Sequence, residues 1–287
     1  MLKLGTITEP PSQLEGGQIL SLEGNFRNVL EPVTSYLFEI QDFTPTNGST
    51  DLFFEFQQGT FVTKNKLPES FGSILNQAEQ FVREQFLTQA PHYEGALEPT
   101  ELHLRLHEEA NRSASPARED LLHIDALPHR PTHGKRVLRL CVNLDPDHER
   151  VWATSEKFPE LLQRYSMIHR LPMHSEDAWT AVSQGWFRSI LGERTARTPY
   201  DGFMLRLRHF LQNHEPFQDQ AIRKLWNFPS YSAWAIFGDS ISFAQLRGRM
   251  SLEVSYLIPI HALESPDHSP LAHLVKTGIE SRLKRAA

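Results

Sequence analysis

His123 and Asp125 are the residues of this chain best suited to chemistry. They stand two apart in the segment Leu122-His123-Ile124-Asp125-Ala126. Side chains on a strand alternate with period two, so on an extended backbone this His and this Asp face the same way. An imidazole nitrogen beside a carboxylate oxygen is a good donor pair for a divalent first-row metal. It is also two thirds of the 2-His-1-carboxylate triad that holds non-haem Fe(II). The same pair at a strand end can equally make ordinary hydrogen bonds, and its spacing does not name a third ligand.

The elements that must position this pair can be read around it. Leu121 to Ala126 reads as a strand and leads into the turn-rich stretch from Pro128 to Gly134. Val137 to Val142 is then a compact apolar run, and Asp145-Pro146-Asp147 marks the next turn. Earlier, Phe53 to Val62 reads as a strand region. From Ser70 to Phe86, Ile74, Leu75, Ala78, Phe81 and Val82 recur at helical spacing. Pro99 to Asp120 is polar and reads as looped in part, and residues 155–195 as mostly helical and looped. Tyr200 to Asn213 carries Phe203, Leu207, Phe210 and Leu211 on one helical face. Ala233 to Phe237 is a strand. So is Ser251 to Ile258, where Leu252, Val254, Tyr256 and Ile258 alternate with polar residues. Pro270 to Lys284 reads as a closing helix.

Strands, a helical insert and strands again suit a mainly β protein with α (α+β). The architecture expected is a double-stranded β-helix, jelly-roll or cupin-like, with flanking helices. We expect a single domain over residues 1–287. Residues 1–115 form an N-terminal flanking α/β portion, 116–265 the β-helix core with a helical insert at 155–215, and 266–287 a C-terminal helix.

Composition narrows the function classes. The chain has 287 residues with a net charge of −6, which gives no basic footprint for nucleic acid. Its single cysteine, Cys141, excludes an intrachain disulfide and fits a reducing compartment, so a cytoplasmic location is expected. The opening residues Met1 to Thr6 break off into Glu9-Pro10-Pro11 with no apolar stretch of a signal peptide. Apolar runs such as Ala233 to Phe237 are too short to span a bilayer. The basic tail Arg282-Leu283-Lys284-Arg285 suits a helix C-terminus and makes the inner face of the membrane an alternative location.

The stretch from Leu122 to Arg139 resembles the Kdo hydroxylase family, whose members are Fe(II)/2-oxoglutarate oxygenases that hydroxylate the Kdo sugar of bacterial lipid A. Further blocks carry the resemblance: Asn143-Leu144-Asp145-Pro146 with Arg150-Val151-Trp152; Tyr200 to Leu207; and Phe237-Gly238-Asp239-Ser240-Ile241-Ser242-Phe243-Ala244 running on to Gly248, Leu252-Glu253 and Pro259. It covers roughly residues 115–275 in matching order. Where the family has the distal His of the triad, this chain has Phe243. A family His on the central helix appears here as Arg208, with His209 next to it.

The resemblance implies that His123 and Asp125 hold Fe(II), and that 2-oxoglutarate is the cosubstrate. Arg139 or Arg136 would grip its distal carboxylate through paired hydrogen bonds. The two are three apart and so point to opposite faces of a strand; Arg139 is favoured because it lies inside the apolar run. Asp239, Arg208 and His209 are candidate pocket residues. His209 or His133 is a candidate substitute ligand. The implied reaction is hydroxylation of a C–H bond in a lipid-linked sugar or other small molecule. The alternative is a catalytically impaired pseudoenzyme, or a binding or scaffold subunit that keeps the oxygenase fold. A homo-oligomer, or pairing with an active homologue, is the partner arrangement expected.

Overall fold

Every residue from Ser251 to Ile258 is buried, although polar and apolar residues alternate along the strand. Its apolar face covers one hydrophobic core. Its polar face is turned not to water but to the interior of the molecule. That strand is the tenth in a computed structural model that describes residues 11–39, 51–63, 69–106, 118–128, 130–165 and 197–276. Three expectations lie outside the described residues: the reading of residues 166–195, the end of the closing helix with its basic tail, and the character of residues 1–6.

In chain order the elements are α1 (Pro11–Glu15), β1 (Leu20–Ser21), α2 (Arg27–Glu39), β2 (Asp51–Gln57), β3 (Thr60–Val62), α3 (Glu69–Gln89), β4 (Glu98–Arg105), β5 (Arg136–Asn143), β6 (Arg150–Lys157), α4 (Phe158–Tyr165), α5 (Pro199–Asn213), α6 (Glu215–Gln220), β7 (Lys224–Phe228), β8 (Ala233–Phe237), β9 (Ile241–Arg247), β10 (Ser251–Ile258) and α7 (Pro270–Lys276). A seven-stranded sheet has the order β1-β8-β5-β10-β4-β2-β3, and a three-stranded sheet the order β7-β6-β9. All the pairings are antiparallel. The two sheets close over one another as the double-stranded β-helix that the sequence led us to expect, with helices outside.

Period-two alternation divides the large sheet. Leu138, Leu140 and Val142 on β5, and Leu252, Val254 and Tyr256 on β10, join a core with Leu30 and Val33 of α2 and with Phe71, Leu75, Ala78, Val82 and Phe86 of α3. The α3 residues recur every three or four positions, one stripe of a helix. The opposite face turns Cys141, Trp234 and Ile236 toward Trp152 and Phe243 of the small sheet. Arg139 and Glu253, which pair with each other, lie on this inner face too.

Two local expectations change. The start of the polar stretch from Pro99 belongs to β4 (Glu98–Arg105), paired to both β10 and β2. Residues 121–126 are extended, but instead of a regular strand they make a single bridge, His123 to Phe243. Four of the strands in the large sheet precede residue 106, so the N-terminal part builds the sheet that carries the site.

Candidate active site

The segment around His123 is held on two sides. Its apolar residues Leu122, Ile124 and Ala126 are buried against Phe203, Met204, Leu207 and Leu211 of α5. Alternation then turns His123 and Asp125 inward. The His123 amide donates to the Phe243 carbonyl at 3.0 Å, and the Phe243 amide donates back to the His123 carbonyl at 2.8 Å. The Asp125 amide donates to the Gly238 carbonyl at 2.7 Å. A Cβ on residue 238 would lie 2.0 Å from Asp125 Oδ2, so only glycine lets the carboxylate sit there.

Helix α5 is aimed by its start. Thr198 and Asp201 form a capping box, with Pro199 in the first turn. Asp201 Oδ1 also accepts from the Thr132 amide at 2.7 Å and the His133 amide at 3.2 Å. The loop after His-x-Asp is thereby tied to the helix that carries Arg208.

Asp125 is gripped by Arg139 through both carboxylate oxygens: Nε donates to Oδ2 and Nη2 to Oδ1, each at 2.6 Å. Arg139 Nη1 donates to Glu253 Oε2 at 3.0 Å. Glu253 in turn accepts from Arg105 Nε at 2.9 Å and from Gln245 at 3.2 Å. Glu119 accepts from Arg105 and, at 3.0 Å, from Gln245. Arg208 reaches between the acids, 3.5 Å from Asp125 Oδ1 and 3.6 Å from Glu119 Oε1. Burial works to raise the Glu253 pKa, but the guanidinium groups of Arg105, Arg150 and Arg139 outweigh it and hold the carboxyl at about 2. Burial opposes the charge on Arg139 as well, yet Asp125, Glu119 and Glu253 raise its pKa well above the ordinary value.

His123 is fully buried. Its Nδ1 lies 2.7 Å from the Leu121 carbonyl, which can only accept, so the proton belongs on Nδ1. Nε2 is left with no hydrogen-bond partner among the described residues. Burial first and the Arg208 charge second bring its pKa down to about 3, so the ring is neutral at pH 7. Its ring lies 4.7 Å from that of Phe243, which stacks on Trp152 at 5.3 Å.

The other candidates fall in different places. Arg136 points to the opposite face from Arg139. Its Nε donates to both oxygens of Asp239, at 3.1 and 2.9 Å, and its guanidinium lies 4.3 Å over the ring of Phe237. Asp239 is therefore the partner of a buried arginine, and it also lines the crevice at Asp125. His209 and His133 are exposed, and neither enters the interior beside His123. A crevice lined by Asp125 and Asp239 together with Leu127, Thr132, Arg197 and Tyr200 holds about 10 Å³, the room of roughly one water.

This donor set tests the iron expectation. A neutral, fully buried imidazole with a free Nε2, fixed through Nδ1 by a carbonyl, has the arrangement of a metal-ligating histidine. The Asp125 carboxylate beside it is a suitable oxygen donor. The two fit one corner of an iron centre. Phe243 offers no donor where the resemblance puts the third ligand. Among the described residues, the group of three metal-ligating side chains that converge is Asp145, Asp147 and His148, away from this corner. Arg249 already pairs with Asp145 and Asp147 there.

The sequence reading missed Glu119, Arg105, Gln245 and the role of Glu253. Glu253 left one signal, an acid set in a strand of large apolar residues. Arg105 left another, its place between Leu104 and Leu106 in an alternating run, whereas Glu119 lies in polar surroundings and left none.

The family described as 3-deoxy-D-manno-oct-2-ulosonic acid (Kdo) hydroxylase matches residues 8–280. No curated protein matches the chain. Among solved structures, the Kdo hydroxylase KdoO, a non-haem Fe(II) α-ketoglutarate-dependent dioxygenase, is similar in its complex with succinate and Fe(III). Identity is 24% over 93% of this chain and 87% of that chain, with a TM-score of 0.74. Its cobalt(II) complex gives 23% identity over 93% and 88%, again with a TM-score of 0.74. The complex with α-ketoglutarate and Fe(III) gives 24% over 93% and 87%, with a TM-score of 0.73. At these identities the likeness shows the shared fold.

Proposed function

The chain belongs to the Kdo hydroxylase family, and from that premise we propose that it is a non-haem Fe(II)/2-oxoglutarate-dependent oxygenase that hydroxylates a C–H bond of a sugar or other small molecule. The observation that carries the proposal is His123: a neutral imidazole whose Nε2 is buried, oriented and unpartnered. His123 and Asp125 would hold the iron, which supplies activation of O2 when bound. The chain's own residues do the rest. The Leu121 carbonyl fixes the tautomer of His123. Gly238 seats the Asp125 carboxylate. Phe243 and Trp152 keep water from that side of the corner. Arg139, on the inner face, is better placed than Arg136 to hold the distal carboxylate of 2-oxoglutarate, and doing so would take its fork from Asp125.

A lipid-linked or free sugar acid is the substrate class the family suggests. The replacements at Phe243 and Arg208 make another small molecule equally compatible. None of the described helices is long and apolar enough to cross a membrane. Cys141 is a buried free thiol, which supports a cytoplasmic site of action. Action at the inner face of the membrane would suit a lipid-linked substrate, and a second copy or an active homologue would be the protein partner.

A second reading is favoured by one observation: Arg139 already occupies both oxygens of Asp125. On that reading the chain keeps the oxygenase framework as a binding or scaffold protein. Anaerobic titration with Fe(II) and 2-oxoglutarate separates the two. A metal-to-ligand charge-transfer band that is lost in His123→Ala, with succinate formed on admitting O2, supports the oxygenase. Absence of both leaves the binding role.

A further inference from the structure

The iron corner and its arginines make conflicting demands on the same carboxylate. A metal at His123 Nε2 would need an oxygen of Asp125. Arg139 holds both oxygens at 2.6 Å, and the Arg208 guanidinium comes within 3.5 Å of Oδ1 from the helix side. Glu119, another acid of the interior, is shared between Arg105, Gln245 and Arg208. The Asp125 carboxylate is packed closely on Gly238, where a Cβ would lie 2.0 Å from Oδ2. The acids beside His123 are thus satisfied by guanidinium groups of the chain itself.

We propose that Arg208 acts as an internal cation competing with metal ions for the His123–Asp125 corner, so that this residue, together with Phe243, sets how weakly the corner binds metal. The inference rests on the reading of His123 and Asp125 as that corner. In the absence of 2-oxoglutarate, Arg139 closes a bidentate pair with Asp125 and is tied to Glu253 of the same sheet. Arg208 is different. It comes from α5, its two ion pairs are long at 3.5 and 3.6 Å, and its side chain retains 11% exposure. Its removal would leave Asp125 and Glu119 still paired, to Arg139 and Arg105, and would take one positive charge from beside the metal position. A guanidinium 3.5 Å from the Asp125 oxygen that a metal would need is close enough, in a partly buried site, for its charge to change metal affinity by more than about tenfold. Arg208 acts here through position and charge, without contact with substrate.

Cobalt(II) is the probe, read by its visible absorption and by calorimetry on the full chain, so no turnover is needed. Wild-type protein is expected to bind cobalt weakly. Arg208→Gln should bind it at least about tenfold more tightly, and Arg208→Lys, which keeps the charge, should resemble wild type. Thermal unfolding checks that each variant is folded, with Arg208→Met standing in if Arg208→Gln is not. In both backgrounds the binding should vanish in His123→Ala. Phe243→His should add affinity, and more so when combined with Arg208→Gln. Tight, His123-dependent cobalt binding by the wild type would overturn the competition while leaving the corner intact. So would a Phe243→His variant that gains as much as the double variant. Failure of every variant to bind cobalt would overturn the competition and the corner together.

Discussion

Phe243 faces His123 across a bridge of two backbone hydrogen bonds, 3.0 and 2.8 Å long, with the rings 4.7 Å apart. The residue on β9 to which the family resemblance assigns a third metal ligand is therefore a packed aromatic, stacked on Trp152. It packs on one side of the His123 ring, whose Nε2 has no hydrogen-bond partner among the described residues.

Truncation should show how far that wall supports the site. Phe243→Ala removes a fully buried ring shared by His123 and Trp152, and a loss of about 3–5 kcal/mol is expected. Denaturant unfolding measures it. A change within a few tenths of a kcal/mol would mean that the ring is not part of the packed core.

Gly238 and Asp125 should behave as one unit. Gly238→Ala places a Cβ 2.0 Å from Asp125 Oδ2 and 3.1 Å from its Cβ. The substitution should destabilise the wild type strongly, and far less in an Asp125→Ala background, where only the outer contact remains. The coupling in a double-mutant cycle should exceed about 1 kcal/mol. Additive effects would show that the carboxylate is not seated on the glycine.

Arg139→Met leaves the Asp125 carboxylate buried without its two-pronged partner and takes one donor from Glu253. Removing one member of a buried pair costs about 3–5 kcal/mol. Arg139→Lys should recover only part of this, because an ammonium cannot make the paired contact. Full recovery by Lys would indicate that charge alone, and not the fork, holds Asp125.

Acid stability should depend on Glu253. Its folded pKa of about 2 lies below the ordinary 4.5, so the unfolded chain binds the proton first as pH falls. The stability it contributes is fully present above about pH 4.5 and is lost between 4.5 and 2. The slope is at most about 1.4 kcal/mol per pH unit for one proton. Unfolding free energies measured across that window should fall less steeply for Glu253→Gln than for wild type. Parallel curves would exclude Glu253 as the group responsible.

Chelation should leave the fold untouched. Asp125 and Glu119 are paired to arginines of the chain, so exhaustive dialysis against a chelator is expected not to lower the midpoint of thermal unfolding. A drop restored by added Fe(II) would contradict this.

By itself, the sequence determined what local patterns can carry. Alternation from Leu252 to Ile258 marked a strand, and the stripe through Leu75, Ala78 and Val82 marked a helix. His123 and Asp125 had to face one way because the backbone there is extended. Arg136 and Arg139 had to diverge because they are an odd number of residues apart. The order of blocks from Leu122 to Pro259 carried the family. The tertiary structure alone decided which polar residues face inward and whom they meet. Glu119, Arg105, Gln245 and Glu253 come from four separate segments, and nothing local distinguishes an acid facing water from one facing a guanidinium. It also decided that Asp125 is already held by Arg139. Pairings at 2.6 Å between residues 14 apart, or at 3.5 Å between helix and strand, follow from how sheets close on one another, and no spacing along the chain encodes them.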